Sequence, residues 1–149
     1  PVVLLSGFAK ALELSCATPS LAPLRDTLLH RLLNLPGLRL SGPPPGDSRL
    51  PHHLSLLVAS EAGLPLSGRN LVRELSRQGF ALSSGSACSS SGSAASTVLL
   101  ALGYGEADAA SGLRISLGPW HCAADLEALV QALQMALAAS VASEHPLTA

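Results

Sequence analysis

Aromatic side chains are nearly missing: Phe, Trp and Tyr make up 3% of the 149 residues. A β-sandwich core leans on aromatic and β-branched residues, so this supply favours helix-rich packing of Leu, Val and Ala. Charge is scarce as well, at 13% of residues with a formal sum of -1. No basic stripe is evident and aromatic residues do not interleave with basic ones, which argues against a nucleic-acid partner. No apolar run reaches transmembrane length, and the opening PVVLLSGFAK lacks the basic region of a signal peptide. These absences predict a soluble, cytoplasmic protein with no membrane partner. Cysteine is limited to Cys16, Cys88 and Cys122. An odd count, wide spacing and no C-x-x-C leave no disulfide framework, zinc ribbon or thioredoxin motif. Neither a G-x-G-x-x-G nor a Walker phosphate loop occurs.

What is present is an apolar fraction of 48%, enough to exclude disorder and build one core. Helical spacing of Val2, Leu5, Phe8, Ala9 and Leu12 predicts a first helix from Pro1 to about Ser15. The start at Pro1, with no methionine, is expected for a piece of a longer chain. A second helix is predicted from an N-cap at Thr18 with Pro19 after it, presenting Leu24, Thr27, Leu28 and Leu32 until Pro36-Gly37. LRLSG and HHLSLLVAS read as strands on either side of the rigid loop GPPPGDSR. Ser67 caps a helix over GRNLVRELSRQG, and Gly79 ends it. FAL reads as a short strand, SAASTVLLALG as a helix stopped by Gly103, and GLRISLG as an alternating strand. The last helix carries a stripe of Leu126, Leu129, Val130, Leu133 and Leu137, with Asp125 and Glu127 in its first turn. The order α-α-β-β-α-β-loop-α-β-α predicts an α/β or α+β module: a small sheet of four strands covered by helices.

Candidates for chemistry are few. Cys88 stands in SSGSACSSSGS, residues 83–93. Such a run suits exposure and mobility, but holds no Lys or Arg to stabilise a thiolate. Taken by itself, Cys88 is either a reactive thiol or a small residue in a flexible connection. Arg114 lies on the polar side of GLRISLG, as a fork for a carboxylate or as a solvated strand arginine. His52 and His53 point to opposite sides of a strand, so a shared metal needs them to converge with His121-Cys122, a pair that otherwise caps the last helix. Lys10 is the single lysine, a solvated helix residue or the one available Schiff base.

The order of these segments is more telling than any one of them. Ser83-Ser84-Gly85-Ser86-Ala87-Cys88, then TVLLALGY, then Leu113-Arg114-Ile115-Ser116-Leu117-Gly118, then an amphipathic helix resembles the C-terminal part of cysteine desulfurases with a long cysteine loop. PVVLLSGFAKALEL resembles the helix leading into that family's small domain. The resemblance implies that residues 1–149 form the C-terminal small domain of a pyridoxal-phosphate enzyme of fold type I, with a mostly antiparallel sheet and a mobile cysteine loop at 83–93. It implies that L-cysteine is the substrate, that Cys88 attacks its sulfur as a thiolate and carries a persulfide, and that Arg114 holds its carboxylate. Alanine leaves, and the sulfur passes to an acceptor or iron–sulfur scaffold protein. The complete enzyme is expected to be a homodimer. The family's Ser-x-His-Lys segment and the histidine and aspartate that hold the cofactor have no counterpart here. Pyridoxal phosphate is therefore expected in the complete enzyme, on a large domain absent from this chain, and this portion alone is expected to be inactive. The alternative is a stand-alone sulfur carrier or partner-binding domain.

Overall fold

The computed structural model describes residues 1–16, 19–46, 48–85 and 95–143. Its elements follow as α1 (Val2–Cys16), α2 (Ala22–Leu33), β1 (Leu38–Leu40), β2 (His53–Val58), α3 (Gly68–Arg77), β3 (Ser83–Ser84), α4 (Thr97–Ala101), α5 (Glu106–Ala110), β4 (Gly112–Ser116) and α6 (Ala123–Ser143). The strands form one antiparallel sheet in the order β1-β2-β4-β3. The expected α+β module with four strands is thus what the chain builds.

Register sorts the side chains. Residues directly opposite in an antiparallel pair share a face, and neighbours along a strand alternate. Leu38 faces Val58, Leu40 faces Leu56, and Leu56 faces Leu113. This leucine face is covered by α2, α3 and α6 through Leu28, Leu32, Leu71, Leu75, Leu129 and Leu133. The other face carries Arg39, His53, Ser55, Leu57, Ser83 and Arg114. α4 and α5 cover it around Leu57, where Leu99 and Ala109 close a second small cluster. Toward His53 and Arg114 it is left polar.

Local signals set several boundaries. The Ser67 hydroxyl accepts the Asn70 N–H at 3.3 Å and starts α3 as expected. Gly79 has φ +90, and the N–H groups of Gly79 and Phe80 donate to the carbonyls of Ser76 and Leu75. That paired closure ends α3 and consumes the Phe80 N–H, so the strand expected over FAL falls instead on Ser83–Ser84.

The helix expected from Ser93 starts at Thr97, because Ser96 supplies the cap. α5 was not anticipated: it is one short turn-rich segment with no apolar period of its own. The expected cap Thr18 lies outside the described residues. Leu21 takes the cap position of α2 without a side-chain bond, and Pro23, not Pro19, stands in its first turn. Thr27 is exposed and donates back to the Pro23 carbonyl at 2.9 Å, so it is not part of the buried stripe.

α1 forms where its spacing places it, yet none of its residues is buried. Val2, Leu5, Phe8 and Leu12 are each more than half exposed. Among the described residues no helix is long and apolar enough to cross a membrane.

Candidate functional site: an arginine-lined cleft

The polar part of the sheet floors a cleft of about 320 Å³. Ser55 and Arg114 are direct partners across β2 and β4, and Ser83 is the partner of Arg114 on β3. Ser41 continues from β1; its hydroxyl donates to that of Ser55 at 2.6 Å, and its N–H donates to the Ser55 carbonyl at 2.9 Å. His53 completes the floor, Val98 and Leu99 of α4 with Leu102 just after it form one wall, and Gly42, Pro43, Ser48, Arg49 and Leu50 form another. Among the described residues no acidic side chain lines the cleft.

Arg114 Nη2 donates to the Ser83 hydroxyl at 3.0 Å. Its Nε is buried and has no hydrogen-bond partner among the described residues. A buried donor left unmet costs about 1–3 kcal/mol. Arg114 also lines the cleft, and a guanidinium is a group that takes a carboxylate through two parallel bonds.

Arg49 stands on the loop wall. Its Nη2 donates to the Ser41 carbonyl at 2.6 Å and its Nε to that of Pro43 at 2.8 Å, tying the loop back on itself. Arg25, 2% exposed on α2, holds the loop from beneath: Nη1 donates to the Leu50 carbonyl at 2.9 Å, while Nε donates to Asp26 at 2.8 Å. Burial first, then the Arg25 charge, pulls Arg49 below the ordinary arginine value, partly opposed by Tyr104. It remains a cation, because a guanidinium does not deprotonate in proteins.

His53 feels the same field. Burial, then Arg49, Arg114 and His52, push its imidazole below the ordinary value of 6.5. The unfolded chain therefore takes up a proton first as pH falls from about 6.5. Stability is full above that value and is lost as pH drops through the depressed folded value. We expect the urea midpoint to fall across this window, and His53→Gln to flatten that part of the profile. A carboxylate in the cleft offsets the repulsion, so saturating ligand shrinks the loss. An unchanged profile in the variant would contradict this assignment.

The ends of the cysteine-bearing segment meet at this cleft. Gly85 and Ser96 both line it, and they pack so closely that a Cβ on Gly85 would collide with that of Ser96. Cys88 lies outside the described residues. Cys16 and Cys122 are both exposed and unpaired.

The other candidates stay apart. His52 borders a groove beside α1 while His53 faces the cleft, so the two diverge as their alternation requires. His121 Nδ1 accepts the Gly118 N–H at 2.7 Å, and the Cys122 N–H donates to Asp125 at 2.7 Å, a capping role at the start of α6. Among the described residues no three His, Cys, Asp or Glu gather as metal ligands. Arg49 was not singled out from the sequence, and His53 only as a metal ligand. Both reach the cleft through loop closure and register, which leave no mark in local periodicity.

The chain is similar to curated cysteine desulfurases. Cysteine desulfurase IscS of Clostridium botulinum is 29% identical over 133 residues, covering 85% of this chain and 32% of the relative. IscS 1 of Archaeoglobus fulgidus is 30% identical over 132 residues, covering 85% and 33%, and IscS of Methanosarcina thermophila is 32% identical over 130 residues, covering 84% and 30%. The chain is homologous to the cysteine desulfurases. It spans about a third of the length of these curated desulfurases. The fold agrees: a NifS-like protein aligns with TM-score 0.64 at 25% identity over 86% of this chain and 30% of that one. A NifS-like protein from Rickettsia africae aligns at 0.63 and 22% identity over 78% and 28%. No family model matches the chain.

Desulfurase kinship implies pyridoxal phosphate in the complete enzyme. That cofactor needs a lysine for its aldehyde. Lys10 is on α1, exposed and bonded to Glu13 at 2.9 Å. No lysine lines the cleft. The described residues of the cleft do not fit the cofactor's aldehyde.

Proposed function

We propose that this chain is the C-terminal small domain of a cysteine desulfurase, supplying the sulfur-accepting Cys88 and the substrate-holding Arg114 to an active site completed by a large domain. The observation that carries the reading is the Arg114 cleft, lined among the described residues by no acid, with a guanidinium Nε that has no partner among them and the cysteine segment rooted at its rim. Cys88 follows Gly85 by three residues, so the chain can carry it no further than about 11 Å from that rim. Arg114 binds and orients the carboxylate of L-cysteine. Cys88, as a thiolate, attacks the substrate sulfur; an S–S bond forms as the C–S bond breaks, its electron pair goes to the substrate Cβ, and that carbon takes up a proton so that the skeleton leaves as alanine. Pyridoxal phosphate, held by the large domain of the complete enzyme, would supply the electron sink for that cleavage. The Ser/Gly composition of 83–93 suits a thiol that serves the cleft and then an acceptor protein for iron–sulfur cluster assembly. The same reading sets the reaction in the cytoplasm, in a homodimeric enzyme.

The stand-alone sulfur-carrier reading is favoured by one observation, the remoteness of Lys10 from the cleft. One experiment separates them. The chain is incubated with L-cysteine and pyridoxal phosphate, with and without a desulfurase large domain, and peptides are mapped for an added sulfur atom. We expect the persulfide on Cys88, and only when the large domain is present. Persulfide on Cys16 or Cys122 instead of Cys88, or none in the complete mixture, would overturn the proposal. Persulfide acquired from a separate desulfurase but no alanine formed in the complete mixture would favour the carrier.

A further inference from the structure

Three of the chain's nine basic Lys and Arg residues lie on α3, and they lie in one row. Arg69, Arg73 and Arg77 follow at intervals of four, the spacing that keeps side chains on one side of a helix. The sequence as a whole shows no basic stripe; the fold presents this short one, inward-facing Leu71 and Leu75 fixing the opposite side. Arg73 and Arg77 are exposed and Arg69 is half-buried.

Local physics disfavours the row. Arg69 is in the first turn of α3, against the positive end of the helix dipole, with no acid beside it. Arg69 and Arg73 are like charges at four-residue spacing. Arg77 is paired with Glu74 at 2.8 Å, whereas among the described residues Arg69 and Arg73 have no ion pair or hydrogen bond. By contrast, Arg31 and Arg39 on other surfaces each have an acidic partner, Glu127 and Asp108. A placement that breaks two local rules without compensation in the fold points to a gain elsewhere.

The row also has an address. Gly68, beside Arg69, packs so closely on the Gly112 carbonyl that a Cβ would collide with it, and Gly112 in turn lies against Gly85. Arg69 therefore stands two glycine contacts from the root of the cysteine segment.

We infer that the α3 arginine row is a docking surface for the acidic face of a partner protein, with carboxylates at helical spacing taken by the arginine forks. It spans about 12 Å along α3, too short for a nucleic-acid track, and offers no aromatic side chain for base stacking. A membrane surface would call for apolar residues beside the charges, whereas the large apolar residues of α3, Leu71 and Leu75, are buried in the core. If the sulfur-transfer reading above holds, the partner is the acceptor, seated beside the thiol that feeds it; the docking test does not depend on that.

The test is fluorescence anisotropy on the 149-residue chain with three probes: a helical peptide bearing Glu at every fourth position, a short DNA duplex, and vesicles containing phosphatidylserine. The expected result is salt-dependent binding of the peptide, weakened about tenfold or more in the Arg69→Ala/Arg73→Ala double variant, unchanged in Arg39→Ala, with the melting temperature of the double variant equal or raised. Equal binding by the double variant, no binding of the peptide, an equal loss in Arg39→Ala, a lowered melting temperature in the double variant, or tighter binding to DNA or vesicles would each overturn the inference. Separately, loss of peptide binding with intact Cys88 persulfide formation would separate this surface from the chemistry.

Discussion

Arg114→Met in the complete desulfurase is expected to lower kcat/KM for L-cysteine by about 10²- to 10⁴-fold, with a fold at least as stable. Charge-assisted hydrogen bonds contribute about 1.5–3 kcal/mol each, and a fork makes two of them with a carboxylate. Each 1.4 kcal/mol is about a factor of ten, which sets the range. Stability should not fall, because the variant removes a buried Nε that has no partner among the described residues and gives up one bond, to the Ser83 hydroxyl. Arg114→Lys keeps the charge and loses the fork, so it should lie between wild type and Met. Steady-state kinetics with thermal melts of the same preparations decide the matter. An unchanged kcat/KM with a lower melting temperature would make Arg114 a structural arginine.

The prediction depends on a juxtaposition that the linear sequence conceals. Alternation in GLRISLG places Arg114 on one side of a strand and Leu113 and Ile115 on the other, and the structure follows it. Caps were equally readable at Ser67 and Gly79, since each is settled within a few residues. Sheet order was not. Ser55, Arg114 and Ser83 share a row because β4 inserts between β2 and β3, and no local pattern encodes that insertion.

The same limit hid Arg49. Its place in the cleft comes from closing the loop on the Ser41 and Pro43 carbonyls, over the buried Arg25. The resemblance to a desulfurase pointed to Arg114 and Cys88 but carried nothing on Arg49 or His53. HHLSLLVAS reads from the sequence as a buried strand, and β2 is continuously buried from Leu56 to Val58, where α4 and α5 cover the second face around Leu57.

A leucine on β4 and one on α1 should respond in opposite ways. Leu113 is fully buried at the centre of the sheet, opposite Leu56 and Ser84, and belongs to the main core. Leu113→Ala should cost about 2–5 kcal/mol, through lost transfer energy and the cavity left behind. Against a total of about 5–15 kcal/mol for an ordinary domain, that is a large fraction. Leu5 has the same chemistry but is 64% exposed on a helix with no buried residue. Leu5→Ala should therefore lie within about 0.5 kcal/mol of wild type.

Urea unfolding of both variants, followed by far-UV circular dichroism, gives the comparison. Equal costs would mean that α1 is docked on the core in solution and that its face is not open. The Leu113 variant should also weaken carboxylate binding under conditions where it is still folded. Leu113 and Arg114 are successive residues of one strand, so whatever loosens the leucine face of β4 loosens the hold on the guanidinium at its other face.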